Sequence, residues 1–308
     1  MIALVALVRV GYAYHWTGFG QAKVGGEVQS AKTLWDWMDL LVVPSVLALG
    51  GYLFTRSENS RTRKIADLQR QDDLLRAYLD GIAELLADKE RPLRAPRPDG
   101  DLTTVARART LTVLPRLDGE RKRSALQFLY ESGLIMKAPV VGQSGSIESP
   151  QPIIDLRGAD LSGADLSAPI SLMQAHLSTT KLNEANLGGA LLLGANLAAA
   201  DLMGANLRGA SLGDADLGAA DMRDADMRDA DMRGAILWLA DLRHASLGSA
   251  DFSGADLGGA DLSGARGITN EVLAAQAGSL RNTTMPDGQN FRDWSNVIQE
   301  REDRRPES

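Results

Sequence analysis

The chain has 308 residues, with 33 basic and 40 acidic side chains and a net charge of −7. This balance argues against a nucleic-acid binder that works through phosphate contacts, because such a protein needs a basic face. The chain has no cysteine, few aromatic residues (5%) and 31 glycines, which excludes disulfides, thiol catalysis and zinc–thiolate sites and predicts a thin core.

An apolar stretch near the N-terminus predicts a membrane anchor. Residues 1–33 are interpreted as an extramembrane segment and residues 34–55 as a single transmembrane helix, because residues 34–54 at 1.5 Å rise span about 31 Å. The predicted interface anchors are Trp35, Trp37 and Arg56. Further basic residues follow Arg56, so the positive-inside rule places the C-terminal domain in the cytoplasm, at the inner membrane.

Two questions about this anchor stay open at the level of sequence. The strictly uncharged part, residues 40–55, has only sixteen residues, so a buried helix is the alternative to a span. Residues 2–19 are also apolar, and the sequence does not decide whether they form a second membrane segment.

The next segment, residues 56–90, predicts an amphipathic or coiled-coil helix. Its apolar residues follow alternating spacings of three and four, and the seam is broken once by Asp72: Ile65, Leu68, Leu75, Leu79, Ile82 and Leu86. This pattern is typical of a homo-oligomer that forms through residues 65–86. The alternative is a single helix that packs on the helices following it.

Residues 91–140 predict a short helical hairpin that leads into the second half of the chain. Three prolines break the chain between residues 91 and 100. Two helices are expected at 102–117 and 120–134, and Pro115 should kink or end the first of them. Residues 141–152 are interpreted as a linker.

Residues 153–266 follow a repeat of five residues. A large apolar residue recurs at 22 centres, and the residue two positions before the centre is alanine in 19 of the 22 units. A period of five fits neither an α-helix nor a simple strand. It favours a solenoid whose axis is filled by the centres, among them Leu161, Leu197, Leu207, Met222, Met227, Met232, Phe252 and Leu257.

This A-[DN]-L-x-x pattern resembles the pentapeptide-repeat family. The resemblance implies an all-β fold, a right-handed quadrilateral β-helix with four units per coil, here five and a half coils or about 26 Å. Residues twenty apart then stack in columns. One extra residue at Ala168-Pro169 predicts a bulge or corner distortion. Residues 267–308 are interpreted as a capping helix and a charged tail.

Several segments outside the repeat also resemble segments of known proteins. Residues 33–51 (TLWDWMDLLVVPSVLALGG), 105–135 and 279–291 (SLRNTTMPDGQNF) are similar to membrane-anchored bacterial pentapeptide-repeat proteins. This resemblance implies an order of parts, namely a transmembrane helix, a small α-helical region and the solenoid. It implies no defined biochemical role.

The sequence contains no motif that would carry catalysis. The three histidines lack a partner at metal-ligand spacing, and the common nucleotide and hydrolase motifs are absent. The recurrent aspartates are explained by the repeat. We therefore expect a non-enzyme with no cofactor, no metal ion and no nucleic-acid partner.

Two apolar groups on the predicted solenoid surface are candidates for a protein partner. The larger group fills the outward positions of one unit, and the smaller lies nearer the N-terminal end: Ile236, Trp238, Leu239; Met173, Leu191, Leu193. For either group the alternative is that helices or the tail cover it. The sequence thus favours a membrane-tethered scaffold that presents a rigid rod to an unidentified protein at the cytoplasmic face. The alternative is a DNA mimic that modulates a type II topoisomerase, a role found in some members of the family.

Overall fold

A computed structural model describes residues 23–24, 27–28, 34–87, 101–135, 140–141, 147–148 and 152–296. The chain divides into two compact units, Met1–Leu68 and Gln69–Ser308. Most of the predicted N-terminal segment 1–33, most of the linker 141–152 and the tail beyond residue 296 lie outside the described residues. So do the side chains of the predicted anchors Trp35 and Trp37.

The first unit contains a short strand pair and the beginning of a long helix. Strands β1 (Lys23–Val24) and β2 (Glu27–Val28) pair antiparallel. Helix α1 runs over Leu34–Ala87 and passes the boundary between the units. Among the described parts of the chain, no helix combines the length and apolar character that a membrane crossing requires. The predicted span at 34–55 is therefore not supported, and the side chains of residues 34–44 are not described.

In the second unit, the end of α1 packs on two further helices. These are α2 (Asp101–Val113) and α3 (Gly119–Glu131), with a 3-10 turn at Leu114–Arg116 between them. The helix α2 ends just before Pro115, as expected. Asp118 caps α3 by accepting a hydrogen bond from the backbone N–H of Arg121 at 3.0 Å. A short antiparallel pair follows, β3 (Val140–Val141) with β4 (Ile147–Glu148).

The heptad-like seam of residues 65–86 does not support a coiled coil. Ile82 is fully buried in the core of the second unit, and the buried hydroxyl of Tyr78 hydrogen-bonds Thr110 of α2 at 2.8 Å. Asp72, the break in the seam, forms a 2.7 Å ion pair with Arg121 of α3. An apolar stripe predicts that one side of a helix is buried, but it does not predict which other helix buries it. Here its C-terminal half packs on the chain's own α2 and α3.

The repeat region forms the predicted stack of coils. Parallel bridges join residues twenty apart, so that Asp201, Asp221, Asp241 and Asp261 lie in one column. Each coil therefore holds four units. The ladder consists of single bridges and not of extended strands, because a turn follows every bridge. All 22 centres and all the alanines two positions before them are buried.

The turns explain the glycine content of this region. The second residue after each centre except Leu166 takes a left-handed backbone conformation, with φ of 65° at Gly204 and 54° at Ala199. Glycine adopts this conformation without steric cost. The extra residue at Ala168-Pro169 changes the register, since Asp160 and Asp165 bridge residues 21 positions away while Ser171 bridges Leu191 at 20.

The helices α2 and α3 cover the N-terminal end of the rod. The carbonyl of Leu134 accepts from Ile154 N–H at 2.7 Å, and the carbonyl of Gly119 accepts from Asp165 N–H at 3.2 Å. The ammonium of Lys122 donates to the carbonyl of Ser162 at 2.8 Å, and burial lowers the pKa of Lys122. The predicted hairpin is thus an N-terminal cap.

The C-terminal end is covered by a helix followed by more coil. Helix α4 spans Asn270–Gln276, with Leu273 fully buried. The chain then returns to the ladder beyond residue 266, because Ser279 bridges Asp256 and Thr284 bridges Asp261. Leu280 and Met285 occupy the buried centres of these added units. Residues 291–296 are helical.

Candidate functional site

Arginine side chains neutralise much of the acidic surface of the rod. Asp221 accepts hydrogen bonds from the Arg223 backbone N–H at 3.2 Å and from its guanidinium at 2.8 and 2.6 Å. The same arrangement recurs three times, at Asp226–Arg228, Asp231–Arg233 and Asp241–Arg243. The hydrogen bonds from arginine lower the pKa of each of these four carboxyl groups.

Because of these pairs, the net negative charge of the chain is not a measure of the free acidic surface on the rod. A carboxylate bonded to its own turn and to an arginine two residues later is a structural part of that turn. The dense acidic stretch is therefore interrupted by cations at the same height on the rod. A DNA mimic needs an extended field of one sign, so the arrangement counts against that alternative.

The larger apolar group lies exposed on one face of the rod. Ile236, Trp238 and Leu239 expose 46%, 55% and 50% of their surface. A Cβ placed on Gly258, one coil further, would lie 3.2 Å from Cδ1 of Trp238. The indole ring therefore lies close against the glycine, which agrees with the sequence expectation. No described part of the chain buries this group.

The turn positions around Trp238 are uncharged in five successive coils, between Arg157 at one end of the column and Arg281 at the other, while Asp216 and Asp256 lie on either side of Ile236. Residues at the outward turn positions of this face carry small or apolar side chains: Ser178, Thr179, Ala198, Ala199, Gly218, Ala219, Trp238, Leu239, Gly258 and Gly259. We call these ten residues with Ile236 the Trp238 face. Each of the other three faces carries at least one arginine at these turn positions, such as Arg208, Arg223 and Arg233.

The smaller apolar group lies on a different face. Leu191 bridges Ser171 and Ser211, whereas Ile236 bridges Asp216 and Asp256. Leu191 and Leu193 are exposed and Met173 is half-buried. The cap reaches this face, since Ser171 donates to the hydroxyl of Tyr130 at 2.8 Å, but it does not bury the two leucines. The structure therefore separates the two predicted groups.

The structure also reveals features that the sequence did not indicate. Met203 is a further exposed apolar residue, which its outward position in the repeat could have indicated. An open groove of about 430 Å³ lies between α1 and α2, lined by Leu74, Tyr78, Ala108 and Val113. Burial raises the pKa of Tyr78 to about 12. The groove depends on how α1 meets α2, for which the sequence carries no signal.

The titratable groups of the described residues include one histidine–carboxylate pair. His176 Nδ1 lies 3.6 Å from a carboxylate oxygen of Asp155 at the first coil, a pairing that the 21-residue register creates. Among the residues that the structure describes, no group of three or more histidine, aspartate or glutamate side chains could hold a metal ion.

Comparison with known proteins identifies the repeat. A family model for pentapeptide repeats matches in eight copies, at residues 170–209, 200–238 and 237–266. No curated protein sequence matches the chain. Pentapeptide repeats imply a right-handed β-helix, which agrees with the twenty-residue ladder.

Three solved structures show the same kind of repeat. HetL, a pentapeptide repeat protein involved in heterocyst differentiation regulation from the cyanobacterium Nostoc sp. strain PCC 7120, is 32% identical over 44% of this chain and 66% of its own (TM-score 0.19). Rfr23 from the cyanobacterium Cyanothece 51142 is 30% identical over 26% and 58% (TM-score 0.15). The pentapeptide repeat protein alr5209 from Nostoc PCC 7120 is 32% identical over 40% and 85% (TM-score 0.18).

The chain thus spans less than two thirds of the length of HetL and of Rfr23. The three TM-scores are far below 0.5, so these likenesses carry no argument about function. The family model and the coil geometry agree on the repeat itself. The chain therefore belongs to the pentapeptide-repeat proteins.

Proposed function

We propose that the protein is a non-enzymatic scaffold whose rod presents the Trp238 face to a protein partner. The observation that carries this proposal is the exposed apolar group of Ile236, Trp238 and Leu239, whose neighbouring turn residues in the same column, Gly218, Ala219, Gly258 and Gly259, are small and uncharged. Exposed apolar patches mark contact sites in soluble proteins, and tryptophan is enriched where binding energy concentrates. A buried ladder of leucines and alanines keeps this surface rigid.

The scaffold is tested by capture of a partner with the tagged full-length chain. We expect Trp238→Ala and Ile236→Asp to weaken capture by about tenfold or more, because truncation of a central aromatic anchor commonly has an effect of this size. Leu193→Ala is the matched control, since it removes an exposed apolar side chain from another face. Capture that is unchanged in both Trp238-face variants, or equally weakened in the control, contradicts the assignment.

We further propose that residues 34–55 tether the scaffold to the inner membrane, with the rod in the cytoplasm. Support comes from the described end of this segment, where apolar side chains are more than half exposed: Val46, Leu47, Leu49, Leu53 and Phe54. Arg56, also exposed, follows directly. Apolar surface of this extent on a helix needs a cover, and lipid provides one.

Fractionation of expressing cells tests the tether. The full chain is expected in the membrane fraction after a carbonate wash, and Leu47→Glu together with Leu53→Glu should shift it to the soluble fraction, because charge inside a bilayer is costly. Ile65→Glu together with Leu68→Glu is the control, since these exposed residues lie beyond Arg56. A parent chain recovered in the soluble fraction overturns the tether and leaves the scaffold intact.

Mimicry of DNA finds less support than the scaffold. Four aspartates of the rod are held by arginines two residues later. The remaining carboxylates do not form an uninterrupted acidic face.

A further inference from the structure

We propose that the groove between α1 and α2 binds a small apolar carboxylate, of the class of medium-chain fatty acids. This groove belongs to the N-terminal cap and shares no residue with the Trp238 face, so the proposal is independent of the scaffold function. Three features of the groove carry it: its dimensions, the hydrogen bonds of its polar walls, and an arginine at one end.

The groove lies between two helices that run in opposite directions. Gln71 of α1 donates to the carbonyl of Arg116, just after α2, at 2.9 Å. Two turns later in α1, Tyr78 meets Thr110 of α2. Later residues of α1 therefore lie beside earlier residues of α2, and the groove runs along both helices.

The groove has the dimensions of a small-ligand site. Leu74 and Val113 line one end of it, and Gly81 and Ala108 line the other. Leu74 and Gly81 are seven residues apart in α1, which corresponds to about 10 Å. The volume of about 430 Å³ lies within the usual range of small-molecule sites, roughly 300–1,000 Å³. The groove thus suits one short apolar chain laid along the helices.

The polar side chains in the walls are already hydrogen-bonded within the cap. The hydroxyl of Tyr78 bonds that of Thr110, which in turn donates to the carbonyl of Ala106 at 2.8 Å. The hydroxyl of Thr112 donates to the carbonyl of Ala108 at 2.7 Å. Because these groups are engaged elsewhere, the walls present mostly hydrocarbon to the groove.

Arg109 places a cation at the Gly81 end of the groove. Its Nη1 donates to the carbonyl of Gly81 at 3.4 Å, and a Cβ on Gly81 would lie 3.1 Å from this nitrogen. The guanidinium therefore lies against the backbone of α1. Among the residues that the structure describes, no carboxylate forms an ion pair with it, and Asp80 and Glu84 of α1 are exposed. Most of its five N–H donors thus remain available.

A fatty acid matches both the cation and the hydrocarbon walls. Its carboxylate can accept two parallel hydrogen bonds from Arg109, a geometry for which a guanidinium is well suited. Its alkyl chain then extends toward Leu74 and Val113 and leaves water. A neutral chain would leave the cation unused, and an inorganic anion would leave the walls exposed. We expect binding to tighten by about two- to fourfold for each added methylene until the chain is longer than the groove.

Photolabelling of the full chain tests this site. The probe is decanoic acid that carries a diazirine in its chain, and the labelled residues are mapped by mass spectrometry. We expect label on the parts of α1 and α2 that line the groove. Unlabelled decanoate should compete for this label at concentrations about tenfold lower than decanol, because a hydrogen bond to a charged group contributes an effect of this size.

Three variants distinguish the groove from other apolar surface. Arg109→Gln should weaken competition by decanoate about tenfold and leave that by decanol unchanged, since it removes the charge. Arg116→Gln is the matched control, because Arg116 is an exposed arginine of the same cap outside the groove, and it should change neither. Ala108→Trp should prevent labelling of the groove by filling it, with a thermal melt that matches the parent.

Several results would overturn the proposal. Label confined to the exposed apolar residues 46–54 would show that the probe binds elsewhere. Equal competition by decanoate and decanol would identify a site for neutral apolar chains and remove the role of Arg109. Equal effects of Arg109→Gln and Arg116→Gln, or groove label that persists in a folded Ala108→Trp variant, would also contradict it.

Discussion

Leu207→Ala is expected to destabilise the rod by about 2–5 kcal/mol, the usual range for deleting a large buried aliphatic side chain. Leu207 is fully buried, and its backbone N–H donates to the carbonyl of Asp226 at 2.7 Å. The coils on both sides are fixed by such bonds, so the wall cannot collapse into the space that the side chain leaves. The expected loss therefore lies toward the upper part of the range.

Met203→Ala is the matched control for this prediction. Met203 lies one unit earlier and is exposed, so its truncation should change the free energy of unfolding by no more than about 0.5 kcal/mol. Chemical unfolding of both variants, followed by circular dichroism, measures the difference. Similar losses in the two variants would contradict the assignment of Leu207 to the axis of the coil.

Gly119→Ala should weaken the contact between the N-terminal cap and the rod by about 1–3 kcal/mol. A Cβ at residue 119 would lie 2.7 Å from the carbonyl oxygen of Gly163 and 3.1 Å from the backbone nitrogen of Asp165. Both are backbone atoms of the coil and cannot rotate away. Because Gly119 is the first residue of α3, helix propensity alone predicts the opposite sign, a gain of up to about 1 kcal/mol.

Hydrogen exchange at the amide of Asp165 measures this effect directly, since that amide donates to the carbonyl of Gly119. Faster exchange in Gly119→Ala supports a close approach of helix and coil. Gly248→Ala serves for comparison, because its added Cβ would lie 3.7 Å from a side-chain carbon of Arg228, an ordinary contact. Unchanged exchange in Gly119→Ala would show that the cap does not press on the rod.

The coil could be predicted from the sequence because every five-residue unit has the same pattern of residues, which fixes the register. Leu at the centre fits the axis of the coil, and Ala two positions before it fits the closely approached wall. The pattern recurs in too many units to have arisen by chance. Glycine at the second turn position follows from the left-handed backbone there. The extra residue before Pro169 could be placed, and the resulting 21-residue register follows from it.

A capping helix after residue 266 was expected, but the contacts that the two caps make could not be predicted from a periodic pattern. In the sequence, Gly119 looks like any glycine at the start of a helix. Its close contact with the backbone of the coil joins residues that are more than forty positions apart, so the local sequence does not reveal it. In the sequence, Ile82 likewise belongs to the heptad-like pattern, and an amphipathic pattern does not predict which helix packs against it. The sequence did not predict that the chain rejoins the ladder at Ser279 and Thr284, because α4 interrupts the five-residue period.

The candidate surface falls between these two cases. Trp238 could be found because an aromatic residue at an outward position departs from the repeat, and its exposure follows from the register. The small residues in the same column as Trp238 become neighbours only when residues twenty apart are brought together, since Ala198, Gly218 and Gly258 are unremarkable along the chain. The neutralisation of Asp221 by Arg223 likewise depends on side-chain geometry.

The covering of both ends has a consequence for how such rods can grow. The exposed edge of a β-structure invites another chain to continue it. Here the first coil is bonded to the carbonyls of Leu134 and Gly119, and the last receives Ser279 and Thr284 from its own chain. These contacts occupy backbone groups that another chain could otherwise pair with, and they therefore disfavour end-to-end growth into a fibre. The length of the rod is therefore set by the number of repeats that lie between the two caps.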